Sequence, residues 1–196
     1  MNKASTATTV SSSKNPSVNG QSAPTFTATV AAVAPGAGTP TGTVTFKDGT
    51  KTLGTGTLSG GSATFTPSKT ALSVGAHSIT AVYAGDTNFL GSTSLVFTQT
   101  VNSPPKITAY VPTSGKRGAA AFKFLISGSA FQNGATVSLT KTGVPTIDAT
   151  GVTVSSQKNS ITCTLKIPSS APTGSRGVTV KNPDGGTVTV SGFTVK

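Results

Sequence analysis

The run HSITAVYAGDTNFLGSTS, His77 to Ser94, gathers side chains that could do chemistry: the only His, one of two Tyr and one of four Asp. A nucleophilic triad needs a hydroxyl or thiol, a base and an orienting acid held together in space. His77 has no acid in its own strand, so Asp86 would have to fold back to it. Asp86 and Asn88 also offer oxygens to Ca²⁺. That ion takes about six to eight oxygen ligands, commonly with a bidentate carboxylate, and the chain has no Glu to supply one. The alternation of HSITAVY instead puts His77, Ile79, Ala81 and Tyr83 on one strand face. Asp86, just after Gly85, suits a turn in which a short carboxylate bonds backbone N–H groups. Phe89 would then plug the loop onto the core. Tyr83 and Asp86 are therefore expected to form a structural corner, with His77 structural as well.

Other chemistries fail on residue supply. Cys163 is the single cysteine and lies in the alternating run SITCTLKIP, as a buried strand residue would. One cysteine excludes an internal disulfide and any multi-cysteine metal site. Glycoside hydrolysis needs two carboxyls at one groove, yet Asp48, Asp86, Asp148 and Asp184 are all expected in turns. GAGTPTG and GTGTLSGG resemble phosphate loops, but neither leads into a Gly-Lys-Ser/Thr or a helix, so both are expected to be turns. No catalytic residue, metal or cofactor is expected.

The elements that would position these residues are short strands. Only 10% of residues are charged and 34% hydrophobic, with Thr, Ser and Gly filling the difference. A Thr/Val-rich chain punctuated by Gly and Pro reads as all-β. In the first half TFTATV, GTVTFKDG, LSGGSATF, HSITAVY and SLVFTQTV are expected strands, with Gly60-Gly61 in a hairpin turn. In the second half KITAYV, AFKFLISG, ATVSLT, VTVSS, SITCTLKIP, RGVTVKN and GTVTVSGFTV follow, with NPDGG as a turn. Turn signals recur every 8 to 12 residues or so, the spacing of a β-sandwich. VNSPPKI carries two adjacent prolines that cannot continue a ladder, so domains are expected at 1–103 and 104–196. No apolar run reaches the ~18 residues of a membrane helix. The opening MNKASTATTV lacks the apolar core of a signal peptide, and the expected context is a piece of a longer secreted chain.

PTGTVTFKDGTKTLGTGTLSGGSATF followed by LSVGAHSITAVYAGDTNFLGSTS resembles the bacterial Ig-like repeats of surface proteins. PPKITAYVPTSGKRG, ISGSAFQNG, LKIPSSAPTGSRGVTVKNPDGG and the closing FTV resemble an IPT/TIG domain. The resemblances imply two tandem immunoglobulin-like β-sandwiches. They also imply a non-catalytic module of a prokaryotic cell-surface or secreted protein, spacing or presenting the other domains of a longer chain. A carbohydrate-binding or accessory region of an extracellular polysaccharide-degrading enzyme is the alternative. It is weakened by the absence of Trp, since sugar platforms are usually Trp or Tyr rings.

Charge is the remaining signal. The net charge is +11, divided as about +3 over residues 1–103 and +8 over 104–196. A positive domain attracts acidic polysaccharide or cell-wall polymer, and Lys116, Arg117, Lys123 and Arg176 are the expected contacts. Nucleic acid ranks lower as a partner, because only Arg117 and Arg176 could make bidentate base contacts.

Overall fold

The computed structural model describes residues 2–196, and no helix occurs among them. The chain divides into two compact units, Met1–Asn102 and Ser103–Lys196, each a β-sandwich with its own core. The first unit contains β1 (Thr6–Ser12), β2 (Ser17–Val18), β3 (Phe26–Ala32), β4 (Thr43–Asp48) and β5 (Lys51–Thr57). It continues with β6 (Ser62–Phe65), β7 (Gly75–Gly85), β8 (Leu90–Thr93) and β9 (Phe97–Asn102). One sheet runs β1-β3-β6. The other runs β2-β9-β7-β4-β5, with β8 also on β7.

The expected inward positions are the buried ones. Phe26, Ala28, Val30, Val44, Phe46, Ile79, Ala81 and Tyr83 are each at most 2% exposed. Phe46 stacks between Phe26 and Phe65, with ring centroids 6.5 and 5.8 Å away. Gly60 and Gly61 both take positive φ in the tight β-turn that Ser59 and Ser62 close, a conformation open to glycine at little cost.

Three expectations in this unit change. Asp48 is not in a turn but ends β4, paired with Lys51 on one side and Ile79 on the other. GTGTLSGG is not simply a turn, because its first four residues, Gly54 to Thr57, belong to the edge strand β5. The glycines of that strand make room: a Cβ on Gly54 would overlap the Phe65 ring, and one on Gly56 would fall 2.6 Å from the Thr64 carbonyl oxygen. Nor is SLVFTQTV one continuous strand. Ser94 pairs with Ala81 and Phe97 with Ile79, so the chain spends one more residue than β7 does and bulges. Leu95 and Val96 are left outside the core, at 91% and 61% exposure.

The second unit contains β10 (Lys106–Val111), β11 (Ser114–Gly115), β12 (Phe122–Ser129), β13 (Thr136–Thr140) and β14 (Ile147–Asp148). β15 (Thr150–Val154), β16 (Ser160–Leu165), β17 (Gly174–Lys181) and β18 (Thr187–Val195) complete it. Sheets β10-β12-β16-β15 and β11-β18-β17-β13-β14 face each other across a core of Phe124, Ile126, Phe131, Leu139, Ile161, Val178, Val180 and Phe193. Phe124 meets Phe193 edge-on at 5.7 Å, a favoured aromatic geometry. Asp148 is not in a turn, as expected, but at the end of β14, opposite Ser138. The β17–β18 connection is the NPDGG turn, closed by Asn182 N–H donating to Gly186 O.

In both units the chain changes sheet early. β2 runs parallel to the last strand β9, pairing Ser17 with Val101. β11 runs parallel to β18, pairing Ser114 with Thr194.

Candidate functional site: a hydrogen-bonded corner and a basic end

The β4–β7 register, Asp48 opposite Ile79, brings the end of β4 to the start of β7. His77 therefore meets Asp48, not Asp86. Nδ1 lies 2.7 Å from the Asp48 carboxylate and Nε2 2.8 Å from the Ser73 carbonyl oxygen. The second carboxylate oxygen of Asp48 accepts from Ser78 N–H at 3.2 Å. Both ring nitrogens are spent on the protein itself, so neither is available to take a proton from a nucleophile. The pair holds a turn.

Burial lowers the His77 pKa, but the Ser73 carbonyl and the Asp48 carboxylate outweigh it and hold it above the ordinary 6.5, against a smaller opposing push from Lys51. A pKa raised on folding adds stability that is complete below the unfolded value and lost as pH rises through the folded one. The melting temperature should therefore fall as pH climbs above the ordinary 6.5, and His77→Gln should flatten that slope. Melting curves of both proteins at half-unit pH steps check it.

The corner is built around Asp86. One carboxylate oxygen accepts from Thr41 N–H at 2.9 Å and Thr41 Oγ1–H at 2.7 Å. The other accepts from the N–H groups of Asn88 and Phe89, each at 2.8 Å. These bonds favour the charged form, with the Thr41 hydroxyl the largest contributor, and hold the carboxyl well below its ordinary range. With four donors from the chain itself, the carboxylate has little capacity left for a metal ion. Among the described residues, no cluster of three or more His, Cys, Asp or Glu side chains could hold one. Tyr83 sits under this loop at 1% exposure. Its buried hydroxyl makes no hydrogen bond of good geometry. Burial first, and then the nearby Asp86, push its ionisation up. The local Asx turn is legible in GDTN, whereas the tie to Thr41 is not, because it spans 45 residues.

Cys163 is 1% exposed in β16, and burial pushes its thiol up to about 11. It is an inert core residue.

The expected basic contacts separate. Lys116, Arg117 and Lys123 are exposed, the first two after β11 and the third in β12. Arg176 does not join them. It lies at an inward position of β17, in line with Val178 and Val180, and is 2% exposed. Its Nη1 donates to Pro145 O at 2.9 Å. Strand alternation in RGVTVKN already puts it on that face, and its charge is the misleading cue. Backbone pairing recruits two other cations to the exposed pair. Arg117 N–H donates to Lys196 O, and Gly118 N–H donates to Ile167 O, next to Lys166. Lys166 and Lys196 are both exposed. No local sequence signal links these three segments; only the fold does.

Among the described residues the aromatic side chains are buried or half-buried, the half-buried ones being Phe65, Phe97, Tyr110 and Phe122. Tyr110 packs on Phe124 and donates to Ser191 O.

Among solved structures, fibronectin(III)-like modules of Clostridium thermocellum CbhA are 18% identical, with 96% of this chain and 92% of that one aligned at a TM-score of 0.44. An I-band fragment of titin is 15% identical over 95% of this chain and 65% of its own, TM-score 0.46. SGBP-B of the Bacteroides ovatus mixed-linkage glucan utilization locus, in complex with a mixed-linkage heptasaccharide, is 16% identical over 95% and 43%, TM-score 0.33. No curated protein matches the sequence. The family described as bacterial Ig-like domain (group 3) matches residues 8–102, so the corner of His77, Tyr83 and Asp86 lies within a stretch similar to that family.

Proposed function

We propose that the chain is a non-catalytic pair of Ig-like modules, the second IPT/TIG-like, from a cell-surface or secreted prokaryotic protein. It spaces or presents the other domains of a longer chain, and the basic end of its second unit contacts acidic surface polymer. The observation that carries the contact is the gathering of Lys116, Arg117, Lys166 and Lys196, all exposed, from three separate segments. Lys123 lies beside them through its pairing with Thr164, two residues before Lys166. A cluster of cations attracts a polyanion without needing side-chain complementarity, and the attraction fades with salt. The spacer role is supported by the first unit, where His77 and Asp86 are saturated by bonds that hold loops.

Retention of the full chain on immobilised polygalacturonate, followed against NaCl concentration, tests the contact. Lys116→Ala/Arg117→Ala should lower the log–log salt slope by about two, roughly one per lost contact. An unchanged slope places the attraction elsewhere, and no retention of the unmutated chain at low salt leaves a plain spacer.

A further inference from the structure

Arg176, 2% exposed, is the only buried charged side chain among the described residues. No carboxylate pairs with it, and its Nε is buried without a hydrogen-bond partner in the protein. A guanidinium withdrawn from water is strongly penalised unless an anion and further acceptors compensate it. Beside it lies a cavity of about 190 Å³, walled by Pro145, Ile147, Pro168, Ala171, Pro172 and Arg176 itself. Those walls come from the segment entering β14 and from the loop between β16 and β17, so the cavity opens at one end of the sandwich.

We propose that this cavity is a binding site for a carboxylate carried on a short apolar body. The carboxylate accepts from the Arg176 guanidinium, and the body lies against the proline, Ile147 and Ala171 walls. A planar carboxylate matches the guanidinium fork. A phosphate, with more oxygens and more charge, would need further donors, and the walls offer only Thr146 and Ser170 as polar side chains besides Arg176. A sugar acid would leave its hydroxyls facing prolines. Lys141 adds favourable potential, since its ammonium lies against Gly174, two residues before Arg176. The site does not depend on the proposed polymer contact: only Lys166 of that contact shares a connection with the cavity walls, and none of its cations lines the cavity. The same chemistry could come from a free organic acid or from the carboxyl terminus of a peptide ending in an apolar residue.

The test is an amide and arginine-side-chain NMR titration of the full chain, following the Arg176 Nε–H signal. The probes are 4-methylvalerate, N-acetyl-alanyl-leucine, 4-methylpentan-1-ol, galacturonate and inorganic phosphate. Saturable shifts of Arg176 Nε–H and of the 146–147 and 170–171 amides with either apolar carboxylate, and not with the alcohol, are expected. Stronger response to 4-methylvalerate assigns a free acid; equal or stronger response to the peptide assigns a chain terminus. Arg176→Met should weaken the carboxylate at least about tenfold. Ala171→Leu, which fills the cavity and keeps the charge, should do the same if Arg176→Met fails to fold. No saturable shift with either carboxylate up to about 50 mM, an equal response to the alcohol, or tighter binding of galacturonate or phosphate overturns the proposal.

Discussion

Phe46→Ala should destabilise the first unit by about 3–5 kcal/mol, the usual cost of removing a buried aromatic ring. Phe46 is fully buried and is the middle ring of the Phe26–Phe46–Phe65 stack. Its strand pairs with both β5 and β7, so the cavity would open at the centre of the sheet, where collapse is hardest. At about 4–8 °C per kcal/mol for a unit of this size, the melting temperature should drop by about 12 °C or more. Tyr83→Ala should behave alike, because Tyr83 belongs to the same core cluster. Tyr83→Phe should be close to neutral, since the hydroxyl it removes makes no hydrogen bond of good geometry. Thermal melts of the three variants check the set. A large loss in Tyr83→Phe would mean that the hydroxyl, and not the ring, carries the stability.

Gly128→Ala should be comparably damaging to the second unit, for a steric reason. Gly128 pairs with Ile107 where β10 and β12 meet, just before that ladder shifts register. An added Cβ would fall 1.8 Å from the Lys106 carbonyl oxygen and 2.6 Å from Phe131 Cζ. The first neighbour is backbone and cannot rotate away, while the second is a fully buried ring. Overpacking usually costs about 1–3 kcal/mol; here relief requires parting two strands, so about 3 kcal/mol or more is expected. Hydrogen exchange should show the β10 amides losing protection first. Unchanged protection in β10 would mean that the strands yield without separating.

The strands that sequence reveals most clearly are those with one strongly apolar face. Ile79, Ala81 and Tyr83 alternate with polar neighbours, as do Phe124 and Ile126, and Val178 and Val180. β1 escapes this reading because TATTVSS offers only one bulky apolar side chain. It is held instead by seven register pairs with β3. β5 escapes because glycine occupies the positions where Phe65 and Thr64 approach. At the candidate sites, local bonding is legible and long-range bonding is not. The turn of Asp86 onto Asn88 and Phe89 follows from residue order, but its bonds to Thr41, and the meeting of His77 with Asp48, depend on which strands become neighbours. Arg176 teaches the converse. Its position in an alternating run outweighs its residue type, and a positive charge is placed inside.

The two short parallel pairings, β2 on β9 and β11 on β18, bear on how each unit would respond to force. In each, a segment near the unit's beginning lies alongside its final strand and points the same way. Tension drawn between the two ends of a unit slides such strands past one another lengthwise. The interstrand bonds are then loaded together in shear, rather than opened one after another as in a hairpin pulled from its mouth. Each unit gains resistance where the load enters, and the hydrogen bonds of these few residues share it.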